Sequence, residues 1–212
     1  MEKATREFFD KRGPILVKNL QKRHFEAYYC ATKEEALDQV LALMPAGSTV
    51  GWGGAISAAQ VGVQEAVHAG NYNVIDRDQF SDPAEKLRCM RQCFDADFFI
   101  TGANAISLDG QMVNIDGNGN RVGMIVYGPK NIIVGAGMNK VCQTLEDAGK
   151  RARTVAAPMN QQRFGLPNPC TCTGVCADCL SETSICNRIL ITRNCKPAGR
   201  IKFVLVGEEL GF

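Results

Sequence analysis

At 212 residues, 45% hydrophobic and 22% charged, the chain has the make-up of a globular protein with room for one substantial core. No apolar run approaches the ~20 residues that span a bilayer, and the opening stretch MEKATREFFDKRGPILVKNLQKR is charged throughout with no apolar signal-peptide core, so a soluble cytoplasmic protein is expected. The formal charge of +2 comes from interspersed Lys, Arg, Asp and Glu, and aromatics make up only 7%, which argues against nucleic acid as a partner.

Short apolar or β-branched runs alternate with amphipathic stretches, the pattern of an α/β domain with a mainly parallel sheet flanked by helices. A charged helix over Glu2 to Arg23 precedes a strand at Phe25–Tyr29. Thr32-Lys33-Glu34-Glu35 reads as a capping box opening a helix to Met44, which Pro45-Ala46-Gly47 ends. Ser48–Trp52 reads as a buried strand, Ala55–Ala69 as a helix and Tyr72–Asp76 as a strand. Asp82-Pro83-Ala84-Glu85 combines an acidic N-cap, a proline at the first helical position and a Glu at the third, and predicts a helix to Asp95. Phe98–Thr101 is the next strand.

From Ala103 the rhythm shortens, with strands at Ala105–Leu108, Met112–Ile115 and Val122–Val126 separated by Asp109-Gly110 and Asp116-Gly117-Asn118-Gly119. Asp-Gly and Asn-Gly tolerate the positive φ of tight turns, so a small antiparallel part is expected. A strand at Asn131–Val134, a helix over Lys140–Arg151 and strands at Ile189–Thr192 and Ile201–Val206 complete the series. The stretch Ala157–Asn168 shows no periodicity and has prolines nearby, which marks the start of a Cys-rich elaboration over residues 157–195 within a single domain of residues 1–212.

Two segments are suited to a small anionic ligand, carboxylate or phosphate. Gly51-Trp52-Gly53-Gly54-Ala55-Ile56-Ser57 lies between a predicted strand and a predicted helix, where glycines let backbone N–H groups approach an anion. It lacks the lysine of a P-loop and the spacing of a dinucleotide loop. A tight turn filled by Trp52 against the core is the structural alternative. The second segment joins Thr101-Gly102-Ala103-Asn104-Ala105-Ile106-Ser107 to Asp116, Asn118, Asn120 and Arg121. Arg121 can clamp an anion through its planar fork, and Asp116 can serve as a base or merely cap the turn. Taken singly, these are turn residues.

Six of ten cysteines fall between Cys170 and Cys195. Cys170, Cys172, Cys176, Cys179 and Cys186 offer a four-thiolate set for zinc or for an iron–sulfur cluster such as [4Fe–4S]; reduced thiols without metal are the alternative. The spacing Cys172-x3-Cys176-x2-Cys179 is also that of radical enzymes, but it sits C-terminally with no barrel around it. Cys30, Cys89, Cys93 and Cys142 read as core residues, and His68, at a helix end, as a complement to the dipole.

VGWGGAIS, GNYNVIDRD, TGANAISLDGQMVNIDGNGNRVGMIVYGPKNIIVGAGMNK and IKFVLVGEELGF together resemble the LUD-domain family, the lactate utilization proteins, over nearly the whole chain. The resemblance implies a fold similar to the sugar-phosphate isomerase and CoA-transferase superfamily, with Gly51–Ser57 as a ligand loop facing Asn104, Asp116, Asn118, Asn120 and Arg121. It also implies a role in oxidising lactate or a related small organic acid, beside iron–sulfur partner subunits. Ala55-Ile56-Ser57 departs from the family's Ser-x-Thr form and lacks one hydroxyl. Asn104 and Ser107 stand where a CoA-transferase nucleophilic glutamate is sought, which disfavours acyl transfer. An isomerase-like enzyme with Asp116 moving the proton, and a non-catalytic sensing or assembly module, stay open as alternatives, as does self-association into a homo-oligomer.

Overall fold

In chain order the elements are α1 (Lys3–Lys22), β1 (Glu26–Cys30), α2 (Lys33–Ala42), β2 (Thr49–Trp52), α3 (Ile56–Val61), α4 (Val63–Ala69), β3 (Asn73–Ile75), α5 (Pro83–Gln92), β4 (Phe98–Gly102), β5 (Ala105–Ser107) and β6 (Met112–Asp116). They continue with α6 (Asn120–Tyr127), β7 (Asn131–Gly137), β8 (Val141–Cys142), α7 (Leu145–Arg151), α8 (Ala157–Phe164), α9 (Pro169–Thr173), β9 (Arg188–Thr192) and β10 (Ile201–Val206). This computed structural model describes all residues 1–212.

The main sheet is wholly parallel, in the order β1-β10-β7-β4-β2-β3. Its central strands are apolar on both faces, because helices cover both sides of a parallel sheet. Phe99, Ile132, Val134, Phe203 and Leu205 pack on one face with Leu16 and Leu20 of α1. The alternating neighbours Phe98, Ile100, Ile133, Val204 and Val206 pack on the other with Val40 of α2 and Val67 of α4. The second sheet, β8-β5-β6-β9, is mixed: β6 is antiparallel to β5 and β9, and β8 is parallel to β5. The expected α/β class and the small antiparallel part are both present.

Four local expectations are corrected. Val122–Val126 is not a strand but the body of α6. The Asp116 carboxylate accepts from the backbone N–H of Gly119 (2.7 Å), Arg121 (3.1 Å) and Val122 (3.3 Å), which nucleates a helical turn in a β-branched segment. The guanidinium of Arg200 closes the other end, donating to Met124 O (2.9 Å), Ile125 O (2.7 Å) and Pro129 O (2.9 Å). The helix expected over Ala55–Ala69 is broken at Gly62, whose φ of +89° starts a new axis. Lys140 does not begin a helix. It ends a 3-10 turn over Met138–Lys140, and α7 starts at Leu145 behind a Thr144–Asp147 capping box. Ala157–Asn168 is largely helical, because α7 runs through a wider turn at Ala152–Ala156 into α8.

Candidate anion site at the carboxyl edge of the parallel sheet

In open α/β sheets ligands gather beyond the carboxyl ends of the strands, and here the loops after β2, β4, β7 and β10 meet. Gly53 is tied to β4 twice: its N–H donates to Ile100 O (3.1 Å), and its carbonyl accepts from the buried Thr101 hydroxyl (2.8 Å). Gly54 takes a φ of +61°, and a Cβ there would lie 2.8 Å from Arg121 Cδ, so the arginine lies flush on bare backbone. Gly51 and Trp52 belong to the core. A Cβ on Gly51 would meet Cys93 Sγ at 2.6 Å, and the Trp52 ring meets His68 edge-on at 5.4 Å between centroids. His68 pairs with Asp76 (3.1 Å).

Arg121 lies half-buried beneath this loop. One of its terminal nitrogens donates to Asn104 Oδ1 (2.8 Å) and Ile115 O (2.5 Å), and Nε lies 3.8 Å from Asp116. Burial lowers its pKa, partly offset by Asp116. Both Asp116 oxygens are engaged by the α6 amides. Asn104 is a hub, because its side-chain oxygen also accepts from Ile115 N–H (2.9 Å) while its carbonyl accepts from Arg151 (2.6 Å). Asn120 opens α6 half-buried, and Asn118 is exposed at the turn.

The sequence reading missed Lys140 and Arg151. Lys140 is buried, and its Nζ donates to Ser57 Oγ (3.0 Å) and Ala103 O (3.1 Å). Burial, reinforced by the charges of Arg151 and Arg121, pulls its pKa down to about 7. Arg151 donates to Asn139 O (3.2 Å) as well as to Asn104. Three basic side chains therefore surround the Ala103–Asn104 peptide against one carboxylate, that of Asp116. The sequence signal was a lysine directly after a strand of small and apolar residues, GAGMNK, obscured there by the expected helix.

The segment after β10 covers this cluster. Met138 N–H donates to Glu208 O (3.1 Å), Leu210 N–H to Asn139 Oδ1 (3.1 Å) and Gly211 N–H to Gln60 Oε1 (2.7 Å). The Leu210 carbonyl lies 3.4 Å from Ser57 Oγ. Beside it a cavity of only about 10 Å³, lined by Ser57, Ala58 and Leu210 among others, remains, no larger than one water needs. A separate polar cleft of about 350 Å³ at the end of α1 includes Lys22, Arg23, His24 and Arg193, but Arg23 there is already paired with Asp109.

The five candidate metal ligands lie in α9 and the loop after it. Cys170, Cys176 and Cys179 are half-buried, and Cys172 and Cys186 are exposed. No three His, Cys, Asp or Glu side chains are gathered in a metal-binding arrangement. The donor chemistry suits zinc or an iron–sulfur centre, since both accept all-thiolate ligation. Of the remaining cysteines, Cys30, Cys89, Cys93 and Cys195 are buried, while Cys142 is half-buried at the end of β8. No helix is long and apolar enough to cross a membrane.

No curated protein matches the chain. Among solved structures it is similar to a DUF162 family protein from Deinococcus radiodurans at 12% identity and a TM-score of 0.49, over 95% of this chain and 97% of that one. It is also similar to ribose 5-phosphate isomerase A from Methanocaldococcus jannaschii at 16% identity and a TM-score of 0.34, over 53% of this chain and 55% of that one. Ribose 5-phosphate isomerase from Plasmodium falciparum gives 16% and 0.32, over 52% of each chain. The model of the LUD domain matches residues 14–206, and the chain belongs to the LUD domain family.

Proposed function

We propose that this LUD domain protein binds a small organic anion, lactate or a related 2-hydroxy acid, and takes part in its oxidation. The observation that supports this reading is the charge count around Ala103–Asn104: Lys140, Arg121 and Arg151 against Asp116 alone. Two half-buried guanidinium groups and a buried amine beside one carboxylate make a site that an anion would complement and in which it would favour the charged amine. A carboxylate would replace the Leu210 carbonyl at Ser57 and draw Lys140 into its protonated form. Ser57 would hold the ligand's orientation, and residues 207–211 would move aside to admit it and return to exclude water.

Oxidation of a 2-hydroxy acid to a 2-keto acid removes two electrons and two protons, so an acceptor is required. The cysteine segment would hold the redox centre, an iron–sulfur cluster that takes electrons one at a time, with iron–sulfur partner subunits as onward acceptors; zinc there would instead be structural. With both Asp116 oxygens committed to α6, the isomerase-like alternative has no free carboxylate at this cluster.

Calorimetric titration with lactate, pyruvate and a panel of sugar phosphates tests the reading. The expected result is saturable binding of the organic acids that Lys140→Met weakens about tenfold or more in a folded protein, the loss of a charge-assisted contact. Tighter binding of a sugar phosphate would transfer the assignment to the isomerase-like class. Binding untouched by Lys140→Met and by Ser57→Ala would remove the ligand from this site.

A further inference from the structure

The polar cleft of about 350 Å³ at the end of α1 lies at the amino-terminal edge of the parallel sheet, where α1 leads into β1, and not at the carboxyl edge that holds the Lys140 cluster. Three segments remote in sequence build it: the end of α1, the β5–β6 turn at Asp109 and the β9–β10 loop at Arg193. Arg23 ties them together. Its Nε donates to Asp109 O (2.7 Å), one terminal nitrogen to Asp109 Oδ2 (2.6 Å) and the other to Arg193 O (3.1 Å). Asn19 donates to Leu108 O (2.8 Å), and the carbonyls of Arg23 and His24 accept from Cys195 N–H and Gly199 N–H, each at 2.9 Å.

The charges inside the cleft are unbalanced. Lys22, Arg23 and Arg193 stand against the single carboxylate of Asp109, whose oxygens are already taken up by Arg23, Ser107 and Gln111. Lys22 reaches only Asn19 Oδ1 (3.4 Å), and the side chains of His24 and Arg193 make no hydrogen bond or ion pair within the chain. His24 also stands where helix ends favour glycine. Its N–H donates to Gln21 O (2.9 Å) and Phe25 N–H donates to Leu20 O (3.2 Å), the paired bonds of a Schellman stop, and its φ is +63°. A histidine there carries a left-handed backbone cost that glycine would avoid, and it brings an exposed ring to the lining of the cleft.

We propose that this cleft binds the phosphate groups of a small polar molecule, a phosphate ester or a diphosphate, through Lys22, His24 and Arg193. Two cationic side chains and an imidazole match the charge of about −2 that a phosphate monoester carries at neutral pH. The planar fork of Arg193 suits two phosphate oxygens at once, and Lys22 supplies a point charge. Only polar and charged side chains line the cleft, so nothing there would stack a nucleobase or seat an acyl chain. The site is separate from the Lys140 cluster and does not depend on the reading given for it.

Calorimetric titration of the full chain with phosphate and pyrophosphate at fixed ionic strength tests this, with the folding of each variant checked by urea denaturation. Pyrophosphate should bind saturably, and Lys22→Gln and Arg193→Gln should each weaken it about tenfold, the loss of one charge-assisted contact. Lys18→Gln removes the same charge from an exposed position of α1 outside the cleft and should leave binding unchanged. His24→Gly should weaken binding while holding or raising the urea midpoint, since glycine relieves the left-handed turn. Lys140→Met should leave pyrophosphate binding as it is, which separates this cleft from the carboxyl edge. No saturable binding of phosphate or pyrophosphate overturns the proposal. Equal weakening by Lys18→Gln overturns it too, because the attraction would then be a diffuse property of the basic surface. Pyrophosphate binding lost in Lys140→Met and untouched by Lys22→Gln and Arg193→Gln would move the anion to the carboxyl edge, and full binding in His24→Gly would overturn the role given to that ring.

Discussion

Lys140 Nζ lies 3.0 Å from Ser57 Oγ, joining the turn after β7 to the first turn of α3 with no carboxylate partner for the amine. The ammonium is held by a hydroxyl and the Ala103 carbonyl (3.1 Å) beside two guanidinium groups, so the neutral amine is favoured until an anion arrives.

The first prediction concerns pH. With the Lys140 pKa lowered from 10.5 to about 7, the unfolded chain binds more protons than the folded one between those values. Stability from this group therefore rises as pH climbs from about 7 towards 10.5 and is absent below 7. Urea midpoints of the unchanged protein relative to Lys140→Met should diverge in favour of the unchanged protein over that window. Anion binding favours the charged amine, so affinity should fall as pH rises through 7. Calorimetry in buffers of different ionisation enthalpy should detect proton uptake near and above pH 7.

A second prediction compares two glycines with positive φ. Gly54 (φ +61°) has Arg121 Cδ 2.8 Å from its Cβ position, whereas Gly62 (φ +89°) has nothing nearer than 4.0 Å. Gly62→Ala should cost only the left-handed backbone penalty, about 1–2 kcal/mol. Gly54→Ala should cost that and also displace Arg121, weakening anion binding where Gly62→Ala does not. Equal effects of the two substitutions on denaturation and titration would remove the close Gly54–Arg121 packing from the account.

Asp116 supports a third. Its carboxylate accepts from the amides of Gly119, Arg121 and Val122 at the start of α6 and faces Arg121 at 3.8 Å, so Asp116→Ala leaves a half-buried cation unpaired and the helix start uncapped. A loss of about 3 kcal/mol or more is expected, and Asp116→Asn, which also removes the charge but keeps one oxygen to accept at the helix start, should cost about 1 kcal/mol less. Chemical denaturation measures both, and faster amide exchange in α6 should accompany the larger loss.

Arg200 supplies the fourth. Its guanidinium donates to the carbonyls of Met124 and Ile125 near the end of α6 and of Pro129 just beyond it, Met124 O also accepting from the Gly128 N–H (2.9 Å). Arg200→Met keeps much of the side-chain volume and removes the donors, at a cost of about 2 kcal/mol. Faster exchange confined to the last turn of α6 and the loop to β7 should accompany it, with the Lys140 cluster unaffected.

Much of the architecture was legible because it is written locally. Thr32 and Asp82 cap helices with their own side chains, accepting from Glu35 N–H (3.3 Å) and Glu85 N–H (3.2 Å) as their spacing implies. The central strands are continuous apolar runs because both faces are buried. The segment Val122–Val126 misled because β-branched residues favour strands, while the contacts that make it helical come from Asp116 before it and Arg200 far after it.

What the sequence determined alone was the α/β alternation, the family resemblance, the glycine loop and the cysteine-rich loop, all carried by residues close together in the chain. Only the tertiary structure decided that Ser57, Asn104, Arg121, Lys140 and Arg151 meet at one sheet edge, that Leu210 lies over them, and that Ile185 rests on Gly117. The physical reason is the parallel sheet. Its strands β2, β4, β7 and β10 are remote in sequence but adjacent in space, and crossovers return every strand in the same direction, so their carboxyl-end loops converge whatever their separation along the chain.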